Sequence, residues 1–295
     1  MEEESPRGLV NLRKESPLVS RRRFMAGTAA VVGAVATPII GQQFFEVPFV
    51  PTPHIVVDEM LRLANVGAGD VVYDLGSGDG RIVIGAASKF GARAVGVELS
   101  DHLIYQSEES AQQAKVTDRV KFLQQDFFKT DFSDASVITL YLLPGVMRRL
   151  RDRMLQLRPG TRLVAHDFDF DEWRPDVKTT IRKNVFLWVV PARVQGRWQM
   201  RVDLPGDAFG FELEARQKYQ EVDGVVKMEG PPGGLWETKL EGDRIRFVVV
   251  DARDRDNEGT LYFQGTVSGK TMQGDGARGV GSRATRFKWQ ATRLG

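Results

Sequence analysis

Val71-Val72-Tyr73-Asp74-Leu75-Gly76-Ser77-Gly78-Asp79-Gly80-Arg81 is the stretch on which the reading of this chain turns. A short apolar run that ends at glycines reads as a strand, and residues 81–90 read as the helix that follows it. A glycine turn between strand and helix lets backbone approach a ligand closely. It also leaves the N–H groups of the first helical turn free to point at that ligand. A dinucleotide-binding fingerprint would be Gly-x-Gly-x-x-Gly. Here the sixth position is Arg81, so that match fails by one residue. Alone, a glycine-rich turn is weak evidence, because a structural turn also explains it.

Two acidic residues change the odds. Residues 94–98 form a second strand closed by Glu98, 18 residues after Gly80. A carboxylate there can accept hydrogen bonds from both hydroxyls of a ribose in the crevice beyond the strand ends. Residues 120–123 are a third strand, followed by Gln124-Gln125-Asp126-Phe127-Phe128. Asp126 is placed to accept from an adenine amino group with Phe127 beside the ring, or to cap its own loop. Three such residues at successive strand ends point to a nucleoside-bearing cofactor. The Gly-x-Gly-x-Gly spacing preceded by Asp74 resembles the methyltransferase form, which implies S-adenosylmethionine. The expected cofactor-binding residues are Asp74, Gly76, Ser77, Gly78, Gly80, Glu98, Leu99, Asp126 and Phe127.

The pattern of alternation continues outward. Asp101 reads as the N-cap of a helix to about 114, residues 137–142 as a fourth strand, and Pro144 as the start of a helix broken at Pro159-Gly160. Residues 161–166 are a fifth strand, and 53–63 an extra helix on the sheet's edge. Strands alternating with helices predict an α/β, Rossmann-like fold, a mainly parallel sheet with helices on both faces. At about residue 192 the pattern changes. Short strand-like runs at 198–204, 210–219, 224–228, 235–240, 245–250, 261–267 and 287–293 recur between glycine turns. Seven or eight such strands predict a small antiparallel β-barrel. The expected boundaries are an N-terminal arm at 1–41, a catalytic domain at 42–191 and the barrel at 192–295.

Residues 47–176 resemble the class I methyltransferases. The matching segments are Pro48-Phe49-Val50-Pro51-Thr52, Asp74-Leu75-Gly76-Ser77-Gly78-Asp79-Gly80-Arg81-Ile82-Val83, Gly96-x-Glu98-Leu99, Asp126, and Phe168-x-Phe170-x-x-Trp173-x-Pro175-Asp176. More narrowly, these segments resemble a family of protein-lysine methyltransferases, bacterial and mitochondrial. Its mitochondrial members act on the membrane ring of ATP synthase and on the adenine nucleotide carrier. The resemblance implies a lysine in a protein as methyl acceptor, and Thr52 and Pro53 as a cover over the donor. The barrel's Gly196-x-Trp198 and Arg293 resemble the lipocalin-like pattern, in which tryptophan and arginine close one end. Such a barrel either holds a small apolar ligand or is a packed module.

The acceptor side is less marked. Methyl transfer from a sulfonium is an in-line displacement, so alignment in a dry pocket is the main requirement. Tyr141 and Asp167, at the ends of the fourth and fifth strands, are the candidate catalytic residues, and His166 reads as structural before it reads as a base. Leu142-Leu143-Pro144 stands where amino-methylating DNA enzymes carry Asn/Asp-Pro-Pro-Tyr/Phe, which argues against base methylation.

Composition sets the remaining bounds. Of 295 residues, 42% are hydrophobic and 27% charged, the profile of an ordinary globular protein. The net charge of +2 resides entirely in residues 1–23, and the rest carries 35 charges of each sign, which does not suggest a nucleic-acid partner. The one basic run, Arg148, Arg149, Arg151, Arg153 and Arg158, reads as a solvated helix face. With no cysteine, disulfides, thiolate zinc sites and a cysteine nucleophile are excluded. His54, His102 and His166 are too far apart for a metal-ligand pattern, so no metal is expected. Ser20-Arg21-Arg22-Arg23-Phe24-Met25 resembles a twin-arginine signal, followed by an apolar segment at 24–40 and the small-x-small run Ala34-Val35-Ala36. It implies a periplasmic or membrane-associated protein, or a cytoplasmic one if the signal is unused. Three functions stand open: methylation of a protein lysine, methylation of a small or lipid-like molecule presented by the barrel, and cofactor or ligand binding without catalysis.

Overall fold

The computed structural model describes residues 49–228, 232–250 and 259–295. The signal-like segment at 20–40 lies outside the described residues. Among those described, no helix is long and apolar enough to cross a membrane.

The first half is one seven-stranded sheet. Strands β1 (Val71–Leu75), β2 (Arg93–Glu98), β3 (Val120–Gln124), β4 (Val137–Leu140) and β5 (Arg162–His166) run parallel in the order β3-β2-β1-β4-β5. β1 therefore has β2 on one side and β4 on the other, and the strand order reverses there. A crevice opens beyond the strand ends at such a switch point. A hairpin of β6 (Val177–Ile181) and β7 (Lys183–Val189) completes the sheet, with β7 antiparallel to β5. Nothing in the sequence pattern places this hairpin. Its turn is made at Arg182, with φ at +61°, and carries none of the glycine or Asn-Gly punctuation that announces a hairpin.

Alternate strand residues face opposite ways, and helices cover both faces. Over one face lie α1 (His54–Leu63) and α2 (Arg81–Phe90), burying Val56, Met60, Ile82 and Ala86 against Val72, Val137, Val164 and Val185. α1 thus packs on the sheet's face rather than its edge, because its stripe of Val56, Val57, Met60 and Leu61 needs the valines there. On the other face α4 (Pro144–Met154) packs Met147, Leu150 and Met154 against Ile138, Leu140 and Leu163. In the helix α3 (Asp101–Gln113) the cap lies one residue earlier than expected. Ser100 is its N-cap, accepting from Leu103 N at 3.4 Å, and Asp101 is the first helical residue.

The second half is a closed barrel of eight antiparallel strands: β8 (Gly196–Leu204), β9 (Asp207–Lys218), β10 (Glu221–Lys227), β11 (Gly233–Glu241), β12 (Arg244–Val249), β13 (Leu261–Ser268), β14 (Thr271–Arg278) and β15 (Thr285–Arg293). Each pairs with the next, and β15 returns to β8. Closure leaves no sheet edge exposed. The centre is filled by rings. Phe263 lies 4.7 Å from Phe247, 5.4 Å from Phe287 and 5.5 Å from Trp289 between centroids. One end is closed by Trp198, whose indole donates to Val194 O at 2.7 Å and carries the Arg293 guanidinium 4.4 Å above it.

β14 is the strand hidden in the sequence, because Gly274 and Gly276 break its alternation. The barrel explains them. A Cβ on Gly274 would fall 2.5 Å from the Cα of Gly265, its partner across the ladder, and one on Gly276 would enter the Phe287 ring. Gly265 in turn leaves room for Trp289, whose indole reaches Gln264 O at 3.1 Å and Asp275 O at 3.0 Å. Gly274→Ala is expected to cost about 1–3 kcal/mol through this overpacking. Gly145→Ala, where a helical glycine meets nothing within 4 Å, should be neutral or stabilising by about 0.5–1 kcal/mol. Urea unfolding of both variants checks the contrast.

Candidate active site

The glycine turn is hooked onto the neighbouring strand. Gly76 N and Ser77 N both donate to Val97 O, at 2.8 and 3.1 Å. Gly76, Gly78 and Gly80 have φ of +79°, +54° and +77°, a region costly for other residues. Gly80 is the N-cap of α2 and supplies no side-chain cap, while Asp79 Oδ1 accepts from the Arg81 N–H at 3.3 Å. Gly96 on β2 is small for the same reason, since a Cβ there would meet Ser77 Oγ at 2.6 Å.

Glu98 faces this turn. Its Oε2 accepts from Gly78 N at 3.0 Å, and its Oε1 from Leu99 N at 2.8 Å and Ser100 N at 3.0 Å. A carboxylate has about four lone-pair sites, so three are engaged. Accepting both ribose hydroxyls requires one of these N–H groups to be released.

Asp74 sits at the switch point, 3% exposed, with Thr139 Oγ1 donating to its Oδ1 at 2.6 Å. Burial pushes its carboxyl up to about 7. The Thr139 bond opposes this, and the Glu98 and Asp79 charges add to it. A cationic donor favours the ionised form of such a group.

Asp126 caps its own loop through Oδ1, which accepts from Phe128 N at 2.8 Å. The arginine run is likewise more than a solvated face. Arg153 donates to the carbonyls of Phe127 and Phe128 at 2.9 Å each and to that of Thr130, while Arg149 lies 4.1 Å over the Phe128 ring. The roles of Thr139 and Arg153 escape the sequence because nothing local marks their partners. The residues present fit a nucleoside donor: a glycine turn at a helix N-terminus, a carboxylate at each of the first two strand ends, and an oriented Asp126 beside Phe127.

The candidate catalytic residues lie beyond β4 and β5. A Cβ on Gly76 would meet Leu142 Cδ2 at 3.1 Å, so the segment after β4 abuts the donor turn. Next to Leu142, the Tyr141 ring lies 4.2 Å from that of His166 and stacks at 6.4 Å on Phe168. His166 is 3% exposed, with Nδ1 3.5 Å from Thr52 Oγ1 and Nε2 buried without a partner among the described residues. Burial holds its pKa below the usual imidazole range. The Asp167 charge opposes that and Lys183 reinforces it. Asp167 takes a left-handed φ of +67°, donates its N–H to Asn184 O at 2.8 Å, and accepts from Lys183 Nζ at 3.1 Å. Lys183, on the unexpected hairpin, is a partner of the candidate Asp167 that the sequence does not mark.

The segment ahead of α1 joins the two sides. Arg81 donates to Thr52 O at 2.8 Å and pairs with Asp79. Burial alone would raise the Asp79 pKa, and the Arg81 hydrogen bond and charge hold it below the usual range instead. A Cβ on Gly78 would run into the Phe49 ring, so Phe49 covers the turn.

A mainly parallel sheet with a glycine turn at its switch point and acidic residues at successive strand ends is the donor site of a class I S-adenosylmethionine-dependent methyltransferase. The family described as the ANTKMT methyltransferase domain matches residues 74–177, ending before the barrel. A protein-lysine N-methyltransferase of Saccharolobus islandicus (strain REY15A) is 44% identical over 151 residues, 49% of this chain and 94% of that protein. An adenine nucleotide translocase lysine N-methyltransferase of Mus musculus is 34% identical over 132 residues, 44% of this chain and 57% of the mouse protein. The crystal structure of an RNA methyltransferase from Salinibacter ruber with S-adenosyl-L-homocysteine is 50% identical over 49% of this chain and 96% of that one, with a TM-score of 0.48. The chain belongs to this methyltransferase family.

The raised Asp74 pKa has a signed consequence. Between about pH 4 and 7 the folded state keeps a proton that the unfolded chain has lost, so this group's contribution to stability falls as pH rises through that window. His166, whose pKa is lowered, acts with the opposite sign below its ordinary value. Comparing Asp74→Asn with the parent chain isolates the first effect. The melting temperature of the parent relative to the variant should decline from about pH 4 to about pH 7 and then level off.

Proposed function

We propose that the chain transfers the methyl group of S-adenosylmethionine to the ε-amino group of a lysine in a protein. The observation that carries this reading is the 44% identity across 94% of a relative named as a protein-lysine N-methyltransferase. The acceptor side supports it. Tyr141 and Phe168 offer ring faces, which attract an ammonium or a methylated ammonium, and burial disfavours the charged form of the His166 imidazole beside them.

When bound, the donor supplies an electrophilic methyl group on a sulfonium. Transfer would form the carbon–nitrogen bond at the expense of the carbon–sulfur bond, whose electron pair would stay on the donor's sulfur. The chain's own part is alignment and exclusion of water. Glu98 and the glycine turn would hold the nucleoside, Asp74 bonds to Thr139 on β4 below the turn, and Phe49 and Thr52 would cover it. The acceptor nitrogen must first lose a proton. Asp167 is held by Lys183, so its carboxylate bears on that proton as part of a pair.

The ring-filled centre of the barrel gives no support to a lipid-presenting role. The motif at Ser20-Arg21-Arg22-Arg23-Phe24-Met25 supports placing the activity at or beyond the membrane.

Incubating the purified chain with methyl-tritiated S-adenosylmethionine and a membrane extract tests the acceptor. Label should enter protein and, after acid hydrolysis, co-elute with methyllysine. Label in lipid, or in base-labile carboxyl esters, would overturn the lysine reading. A Glu98→Ala chain should be slower by roughly ten- to a hundredfold at limiting donor, for the lost charged hydrogen bonds.

A further inference from the structure

The loop at 167–176 has the acceptor wall at its start and the barrel at its end. Asp167 and Phe168 follow directly on His166, and Phe168 stacks on Tyr141. Six residues after Asp167, Trp173 is fully buried between the two halves of the molecule. Its indole stacks on Phe170 at 5.4 Å and, from the barrel side, on Tyr219 at 5.8 Å with the planes 14° apart. Its carbonyl accepts from Trp188 Nε1 on β7 at 2.7 Å.

The β9–β10 turn of the barrel then locks the loop by a two-point contact. Gln220 Oε1 accepts from Trp173 Nε1 at 2.9 Å, and Gln220 Nε2 donates to Arg174 O at 2.7 Å. Exposed ion pairs Lys218–Glu172 at 3.2 Å and Arg174–Glu221 at 3.6 Å flank it. Pairs of that kind add little stability, so the amide and the ring stack carry the contact.

The loop needs such a hold. Asp167 and Asp171 both occupy left-handed φ, at +67° and +56°, without being glycine. Conformations of that kind persist only where the surroundings over-determine them. The Saccharolobus islandicus relative has 94% of its length within the 151 matched residues, so it has no room for an eight-stranded barrel. A hold on this loop from a barrel is therefore a feature this chain has and that relative lacks.

We propose that the barrel positions the acceptor wall, and that Gln220 is the positioning residue, fixing the 167–176 loop through both ends of its amide. This rests on the reading of Tyr141, His166 and Phe168 as the acceptor wall. It gives the barrel a part in methyl transfer that requires no ligand inside it.

The test uses the full chain with Gln220→Leu, which keeps the bulk and removes both bonds, and Gln220→Glu, which keeps an acceptor for Trp173. Hydrogen exchange of the 167–176 amides should be faster in Gln220→Leu, with donor affinity by calorimetry unchanged. Label transfer into the membrane extract should lose about tenfold in kcat/KM for the acceptor, the size of one or two hydrogen bonds, with the KM for donor unmoved. Gln220→Glu should lie between. Unchanged exchange and unchanged acceptor kinetics in Gln220→Leu would overturn the proposal, as would a parallel loss of donor affinity, which marks general unfolding. If the parent chain itself makes no methyllysine, the lysine reading fails while the exchange measurement still decides the latch.

Discussion

Everything at this site depends on a turn that only glycine can make. The chain leaves β1 at Leu75, passes through three left-handed positions at Gly76, Gly78 and Gly80, and enters α2 with no cap from the Gly80 position itself. The turn is pinned by two backbone bonds to a single carbonyl, Val97 O. Because Val97 lies just before Glu98, the same hook that shapes the turn carries the carboxylate to it. Backbone geometry and ligand chemistry are thus set by one contact between adjacent strands.

Around that hook the fold concentrates polar groups that a stability argument alone would not choose. Asp74 is buried with its pKa pushed up to about 7, and His166 is buried with one ring nitrogen unpartnered among the described residues. Perturbed titratable groups of this kind cluster at functional sites. They are surrounded by bonds that hold loops rather than cores: Arg81 to Thr52 O, Arg153 to the carbonyls after Asp126, Lys183 to Asp167. Each ties a loop at the mouth to a strand or helix behind it.

The barrel is built on the opposite plan. Its centre is rings on rings, and Gly265 and Gly276 let Trp289 and Phe287 lie against the ladder. Such a centre is rigid, because close-packed interiors transmit strain rather than absorb it. A rigid body with a turn projecting onto Trp173 is suited to holding a strained loop in place.

How much of this is legible in the sequence follows from distance along the chain. The glycine turn, the acids at strand ends, the parallel sheet and the barrel are all legible. Each is written in a local pattern: a two-residue glycine spacing, a residue closing an apolar run, an alternation of period two. Asp101 reads as the cap that Ser100 in fact provides, an error of one residue where two adjacent side chains are both good caps. β14 and the β6–β7 hairpin are hidden, since glycines erase the pattern of one and Arg182 makes the turn of the other. The pairing of Thr139 with Asp74, of Lys183 with Asp167 and of Gln220 with Trp173 cannot be read at all. Those partners lie 65, 16 and 47 residues apart. The sequence by itself determined which chemistry this protein carries, because donor binding uses backbone turns and strand ends that are local features. Only the tertiary structure decided how the acceptor side is held, because that depends on side chains brought together by strand order and barrel closure.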